Sequence, residues 1–178
     1  MKRKLLVVLV LVVAGLTAFG GKVLATPGNG FVGTTLATAT FDAMNLSAHS
    51  TPPAPGTRPN PWNLRLRTHG QSDVYIQSNS WPVGADTGWH THPGPSLIIL
   101  KHGVLTEWES DRGKCTEHVY DATNGPVSFL DTGGPDHAHI LVNDGSVVAD
   151  GYAVQFVPEG ATRRIDVTPA PPNCGPSS

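Results

Sequence analysis

The sequence has 178 residues, of which 39% are hydrophobic and 15% are charged, and its formal net charge is −2 at pH 7. Twelve basic residues against fourteen acidic ones, with no basic cluster, argue against a protein that binds nucleic acid or anionic membranes. The length suits one domain with one core.

Residues 1–25 have the pattern of a secretory signal peptide. A basic start from Lys2 to Lys4 precedes an apolar run from Leu5 to Phe19, and small or branched residues follow at the cleavage position. The run of about 15 residues is shorter than the ~20 that a membrane-spanning helix needs. We therefore predict cleavage after Ala25, a periplasmic or extracellular location, and no membrane association after cleavage. The mature chain, 26–178, keeps eight basic and fourteen acidic residues, a formal net charge of −6.

Both cysteines of the sequence, Cys115 and Cys174, belong to the mature chain. An even pair in an exported protein predicts a disulfide rather than a metal or redox pair, because the compartment is oxidising. The bridge would attach the proline-rich C-terminal tail, 168–178, to the turn around Lys114. Closing a loop of this length stabilises a fold by roughly 4 kcal/mol in the chain-entropy model. The alternative is a pair of free thiols.

Short β-favouring runs, separated by turn residues, extend through the mature chain. The full sequence has twenty glycines and sixteen prolines, which recur between these runs, and no stretch of ten residues in the mature chain shows sustained helical periodicity. This pattern predicts an all-β sandwich or barrel. The proline-rich segment 50–61 is interpreted as a surface loop. The expected strands are 31–41, 62–68, 73–81, 91–101, 104–109, 117–121, 127–130, 138–143 and 147–157.

His90 and His92 form a His-x-His pair in an expected strand. Alternation along a strand places residues i and i+2 on one face, so the two imidazoles can converge on a single ion. One such pair is weak evidence by itself, because surface strands carry it by chance.

The residues around this pair resemble the first motif of the cupin superfamily, which is Gly, five residues, His-x-His, three or four residues, Glu, six residues, Gly. Gly84, His90, His92 and Gly103 stand at matching positions. The stretch Gly88 to Gly94, Gly-Trp-His-Thr-His-Pro-Gly, is similar to a group of small exported bacterial cupins of mostly undefined activity.

A second segment resembles the second cupin motif at its His-x-x-x-Asn end, with His139 and Asn143 at the matching positions. The resemblance extends over roughly Asp73 to Val157. It implies an all-β fold with a single domain over 26–178, an antiparallel jelly-roll β-barrel with a ligand cavity in its mouth.

The resemblance also implies a metal centre with His90, His92 and His139 as ligands. The glutamate of the motif falls at Ser96, which is a poor ligand and the clear departure from the pattern. Three imidazoles suffice for Fe, Mn, Cu, Ni or Zn, and we favour a bound divalent metal of this kind. The alternative is a vestigial site that has lost its affinity.

Several other polar residues have interpretations of their own. His137 has the same phase as His139 and is a candidate fourth ligand or outer-shell group, but we favour a place at the barrel rim. Glu107 and Glu109 are expected to be solvated, since charged residues near turns usually are. Asn143 is expected to order a turn. The cavity would be lined by Tyr75, Gln77 and Asn79 if the side chains of their strand alternate so that these three face inward. The core or a pocket would hold Trp89 and Trp108. Four further histidines are interpreted as surface residues: His49, His69, His102 and His118.

Two functions follow from the resemblance. In the first, the protein is a metal-dependent enzyme of the oxygenase type that acts on a small organic substrate, with no separate acid or base identified. In the second, it is a non-catalytic module that binds a small molecule or a metal outside the cytoplasm. A homodimer through an edge strand is an expectation by analogy. The fold alone does not choose between the two functions.

Overall fold

The computed structural model describes residues 28–49 and 62–176. The predicted signal peptide (1–25), the proline-rich loop (50–61) and the last two residues of the predicted tail lie outside the described residues. The described part is built from strands and turns without an α-helix. None of its segments is a helix of the length and apolarity that crossing a membrane requires.

Twelve strands occur in the described ranges. They are β1 (Val32–Phe41), β2 (Asn45–His49), β3 (Asn63–Arg67), β4 (Ser72–Trp81), β5 (His90–Thr91), β6 (Ser96–His102), β7 (Val104–Asp111), β8 (Lys114–Asp121), β9 (Val127–Asp131), β10 (His137–Val142), β11 (Ala149–Pro158) and β12 (Ile165–Asp166).

Strands β4 to β11 form one long antiparallel ribbon that folds over on itself. β4 pairs with β11, β5 with β10, β6 with β9, and β7 with β8. This nested pairing is the topology of a jelly roll, as predicted. It also sets the first histidine motif, around β5 and β6, against the second, on β10.

The folded ribbon makes two five-stranded antiparallel sheets. Their strand orders are β1-β4-β11-β6-β9 and β12-β5-β10-β7-β8, while β2 and β3 form a separate hairpin. The expectation of a closed barrel is wrong in one respect, because within the described residues the strands of one sheet do not continue into the other. The edge strand β12 and its neighbour β5 have only two residues each, too few to carry a ladder of hydrogen bonds around the barrel.

All nine expected strand regions contain a strand, but the run 91–101 is interrupted. Pro93, Gly94 and Pro95 separate β5 from β6, because proline has no N–H to donate to a ladder. β2 and β12 were not expected. Both are short, and their sequences lack the run of β-branched or aromatic residues that predicts a strand.

The apolar core fills one end of the space between the sheets. Leu100 on β6, Leu105 on β7 and Ala149 on β11 are completely buried there. Trp81, Phe129 and Leu141 belong to the same cluster. Because these residues come from both sheets, the core holds the sheets together and leaves the other end of the space for polar groups.

A disulfide joins Cys115 on β8 to Cys174 in the tail, with an S–S distance of 2.01 Å. The bridge closes a loop of 59 residues, which corresponds to a stabilisation of roughly 4 kcal/mol. The predicted disulfide is therefore present, and it fixes the tail beside the sheet that carries β5 and β10.

Candidate metal centre

Register brings the two histidine motifs together. His90 on β5 lies directly opposite His139 on β10 in the antiparallel pair. Opposite residues of such a pair project to the same face, and here the two Nε2 atoms are 3.0 Å apart. His139 is almost fully buried. The structure thus places two of the three predicted ligands in contact at the inner face of one sheet.

His92, the third predicted ligand, follows β5 and also points into the space between the sheets. Its Nδ1 lies 2.5 Å from the carbonyl oxygen of Gly94, and Nδ1 of His90 lies 2.9 Å from that of Gly88. A carbonyl only accepts, so each Nδ1 is the protonated nitrogen and donates. These contacts direct the Nε2 atom of each ring toward the interior between the sheets.

Asp131, at the end of β9, completes the cluster. Its Oδ2 contacts Nε2 of His92 and lies 3.0 Å from Nε2 of His139. Ligand atoms of His92, Asp131 and His139 all lie within 4.8 Å of one another. The sequence interpretation missed Asp131. The available signal was its alternation with Phe129, which places both side chains on the inner face of their strand.

His137 lies behind the cluster rather than at a solvated rim, so the favoured interpretation of this residue is wrong. It is buried, and its Nε2 lies 3.2 Å from Oδ1 of Asp131 while its Nδ1 lies 3.2 Å from Oε1 of Glu109. A ring with a carboxylate at each nitrogen donates from both. His137 therefore connects the buried carboxylate of Asp131 to the partly exposed one of Glu109, in the manner of an outer-shell group.

A close backbone turn supports the same carboxylate. The backbone N–H of Gly133 donates to Oδ1 of Asp131 over 3.1 Å. Gly133 has a φ of 62°, and a Cβ at this position would lie 2.5 Å from Nδ1 of His92. Only glycine allows this approach, which explains the Gly-rich turn that follows β9.

The electrostatics of the cluster match its geometry. Burial lowers the pKa of His90 well below its ordinary value, and the positive charges of His139 and Arg164 lower it further. Burial acts to raise the pKa of Asp131, but the charge of His139 and the hydrogen bonds from His137, His139 and His92 outweigh it, and the net pKa is lowered. The hydrogen bond to Asp131 raises the pKa of His137. The cluster thus combines a neutral imidazole at His90 with an ionised carboxylate.

These donor atoms fit a transition-metal ion. Nε2 of His90 and Nε2 of His139 lie 3.0 Å apart, a distance that either a hydrogen bond or a shared cation can span. Metal–ligand bonds of about 2.0–2.2 Å at right angles place neighbouring ligand atoms about 3 Å apart. The separations of 3.0 Å between His90 and His139 and between His139 and Asp131 match this value. The donor atoms of His92, Asp131 and His139 are therefore suited to hold a divalent ion, whereas His90 lies outside this group of three and reaches it through its contact with His139.

A cavity of about 80 Å³ opens beside the cluster. Gln77 and Asn79 line it as expected, whereas Tyr75 does not line it and instead has its ring centroid 5.3 Å from the guanidinium of Arg163. Three buried polar atoms in its wall have no hydrogen-bond partner among the described residues: Oδ1 of Asn79, Nε1 of Trp81 and Oε1 of Gln155. Buried polar groups are normally satisfied, so this cavity has the character of a ligand site.

The remaining sequence interpretations have mixed outcomes. Glu107 was expected to be solvated but is buried, and its carboxylate accepts a hydrogen bond of 2.8 Å from the Tyr120 hydroxyl. Asn143 does order its turn, since its Oδ1 accepts from the backbone of Gly145 at 3.0 Å. Trp89 is buried. The side chains of His102 and His118 are exposed by 69% and 44%, as expected of surface residues.

Comparison with known proteins gives structural neighbours only. No protein-family model matches the sequence, and no curated protein matches it. An oxalate oxidase in complex with glycolate is 19% identical, with a TM-score of 0.42 over 53% of this chain and 46% of that one. A cupin domain from Bordetella pertussis is 19% identical, with a TM-score of 0.36 over 47% of this chain and 80% of that one. A predicted oxalate decarboxylase from Thermotoga maritima is 18% identical, with a TM-score of 0.35 over 49% and 82%.

The matched part of the chain spans about half the length of the oxalate oxidase. The nested strand pairing, the two facing sheets and the placement of both histidine motifs at one end of the interior define the class of the molecule. The chain has a jelly-roll fold of two antiparallel five-stranded sheets, as predicted.

Proposed function

We propose that this chain is an exported, cupin-like protein that binds a divalent transition metal through His90, His92 and His139. The observation that carries the proposal is the buried group of His92, Asp131 and His139, whose ligand atoms all lie within 4.8 Å of one another, with His90 in contact with His139 at 3.0 Å. Imidazole suits Fe, Ni, Cu and Zn, and an added carboxylate also suits Mn. The identity of the metal is therefore left to experiment.

The chain supplies orientation at this centre. The carbonyls of Gly88 and Gly94 fix the rings of His90 and His92 with Nε2 directed inward, and such outer contacts set both the tautomer and the basicity of a ligand. When bound, the ion would polarise a substrate or activate oxygen. The cavity beside it has room for a small molecule only.

We propose further that the ligand of this cavity is a small polar anion. Arg163 lines the cavity, its guanidinium lies 5.3 Å from the Tyr75 ring centroid, and no ion pair involves it within the described part of the chain. Arg164, by contrast, pairs with Asp166 at 2.8 Å. The unpaired guanidinium favours a carboxylate on the ligand. The two amide oxygens accept, so they need a donor such as a hydroxyl, and the indole N–H of Trp81 needs an acceptor oxygen.

Binding assays on the mature, metal-loaded protein test this specificity. Small mono- and dicarboxylic acids, titrated calorimetrically, should bind to wild type, and Arg163→Gln should weaken the best of them by about tenfold or more, because a charged hydrogen bond contributes ~1.5–3 kcal/mol. Arg112→Gln is the control, since the Arg112 side chain is 81% exposed. Equal affinity in wild type and Arg163→Gln would contradict the proposal of an anionic ligand.

The enzyme and the binding module differ in turnover. An oxygenase-type enzyme would consume oxygen and convert the bound acid when loaded with the right metal, and His90→Ala would abolish both the metal and the activity. A non-catalytic module would bind the acid without forming a product. Activity that persists in metal-free protein would refute the metal-dependent enzyme.

Export and self-association belong to the same proposal. The disulfide between Cys115 and Cys174 is compatible with an oxidising compartment outside the cytoplasm. N-terminal sequencing of the exported protein would test cleavage after Ala25. The homodimer remains a prediction that sedimentation of the purified protein would test.

A further inference from the structure

The pattern that the sequence resembles places a glutamate at the position of Ser96. In the structure Ser96 is buried, lines the cavity and lies on the first residue of β6. Its hydroxyl is a poor replacement for a carboxylate, and this departure raises the question of which group, if any, supplies the negative charge at the centre.

The register between β6 and β9 identifies the group that supplies this charge. Ser96 on β6 lies directly opposite Asp131 on β9 in the antiparallel pair. Opposite residues have Cβ atoms about 4.5–5.5 Å apart and project to the same face. A carboxylate attached at either position therefore reaches the same volume, although the two residues are far apart in sequence.

The two carboxylate oxygens of Asp131 have different surroundings. Oδ1 accepts from the Gly133 backbone at 3.1 Å and from His137 at 3.2 Å. Oδ2 is directed at the Nε2 atoms of His92 and His139. One oxygen is thus held by the protein, and the other is presented to the point on which the imidazoles converge.

A structural alternative is an ion pair between Asp131 and a protonated His92, without a metal. The same three side chains also have the arrangement of a metal site, since the ligand atoms of His92, Asp131 and His139 all lie within 4.8 Å of one another. His90 lies outside this group and contacts it through Nε2 of His139. Uptake of metal by the wild-type protein decides between the ion pair and the metal site.

We propose that Asp131 is the acidic ligand of the metal centre, and that its carboxylate, carried by β9, takes the place of the glutamate that the resemblance assigns to Ser96 on the neighbouring strand. This inference rests on the proposed metal centre of His90, His92 and His139. Ser96 is then not a sign of a vestigial site, because the carboxylate that the motif places at this position is supplied by Asp131 on the paired strand.

Relocation of the carboxylate tests the inference. The mature protein and its variants are stripped of metal, and their affinity for Zn²⁺ and Co²⁺ is measured by competition with a chromophoric chelator. Asp131→Ser should lower the affinity by at least about 100-fold, more than is usual for loss of an outer-shell contact. The double variant Ser96→Glu with Asp131→Ser should recover an affinity within about tenfold of wild type. Asp136→Ser, in the same connection between β9 and β10, is the matched control.

The outcomes separate the inference from the proposed function. Wild type that binds no metal would refute the metal centre itself. Wild-type affinity in Asp131→Ser, with metal lost in His139→Ala, would refute the role of Asp131 and leave the histidine centre intact. A folded double variant that binds no better than Asp131→Ser would refute the relocation.

A second variant covers the case in which Asp131→Ser does not fold. Asp131→Asn keeps the size and one acceptor oxygen of the side chain. Its Co²⁺ complex should show a visible absorption spectrum different from that of wild type, because one oxygen ligand has changed. An unchanged Co²⁺ spectrum would overturn the assignment of Asp131 as a ligand.

Discussion

The two ends of the space between the sheets are built from the same strands but differ in chemistry. β6 begins with Ser96 at the polar end and reaches Leu100 in the apolar core, and β9 runs from Phe129 in the core to Asp131 at the polar end. The inner-facing residues alternate in the same way throughout. What changes along each strand is the type of residue on the inner face.

This difference separates stability from binding. Apolar residues at one end contribute free energy when they leave water. At the other end the fold buries His92, Asp131 and His139, and burial of ionisable groups costs free energy unless they are paired or bind a metal. This buried ionisable cluster lines the cavity, whereas the other end is apolar, so substitutions at the two ends should have separable effects.

The largest effect on stability is expected at the apolar end. Leu100→Ala should lower the free energy of unfolding of the metal-free protein by about 2–5 kcal/mol, because it leaves a cavity in a close-packed core. Urea denaturation followed by circular dichroism measures the change, and the folded variant should still bind one metal. Ile99→Ala is the control on the same strand, since Ile99 is 49% exposed. Equal losses for Leu100 and Ile99 would contradict the assignment of the core.

A smaller effect, on metal affinity, is expected at His137, which contacts Asp131 from the side away from the cluster. His137→Gln should lower metal affinity by about 10–100-fold with little change in stoichiometry, because it removes one of the groups that orient Asp131. His118→Gln is the matched control, since its ring lies 3.8 Å from the same Glu109 carboxylate but its side chain is 44% exposed. Affinity measured with the chelator competition should fall for the first variant only. An unchanged affinity in His137→Gln would show that Asp131 does not depend on it.

The smallest effect, on the pH dependence of stability, is expected at Glu107, which lies between the apolar end and the polar end. Burial raises its pKa above the ordinary value of 4.5, although the charge of His139 and the Tyr120 hydrogen bond oppose the shift. The folded state then binds the proton more tightly than the unfolded state, so the stability of the metal-free protein falls as pH rises from about 4.5 through the raised pKa.

Glu107→Gln should remove this fall. The variant should be more stable than wild type at neutral pH by about 1 kcal/mol or less, and equally stable near pH 4. Thermal unfolding across this pH range measures the difference, with the exposed Glu117→Gln as the control. A variant that is less stable than wild type at neutral pH would mean that ionised Glu107 stabilises the fold.

Much of this arrangement could be predicted from the sequence because it depends on local pattern. Turn residues delimited the strands, and the motif around His90 and His92 indicated the jelly roll. Asp131 could not be identified in the same way, because its importance comes from its register with Ser96, which is set by tertiary pairing. The same limit applies to His137, whose position behind Asp131 depends on how β9 and β10 meet. The open edges of the two sheets depend on the length of β12, for which no local signal was available.

The most direct test of the account is the metal content of the mature protein, purified without chelators from the compartment to which we propose it is exported. Elemental analysis should find about one equivalent of a transition metal in wild type and in His102→Ala, whose side chain is exposed. The metal should be absent from His90→Ala and His139→Ala. Absence of metal from wild type, with no uptake from Fe, Mn, Cu, Ni or Zn salts, would contradict the account, as would equal metal content in all four proteins.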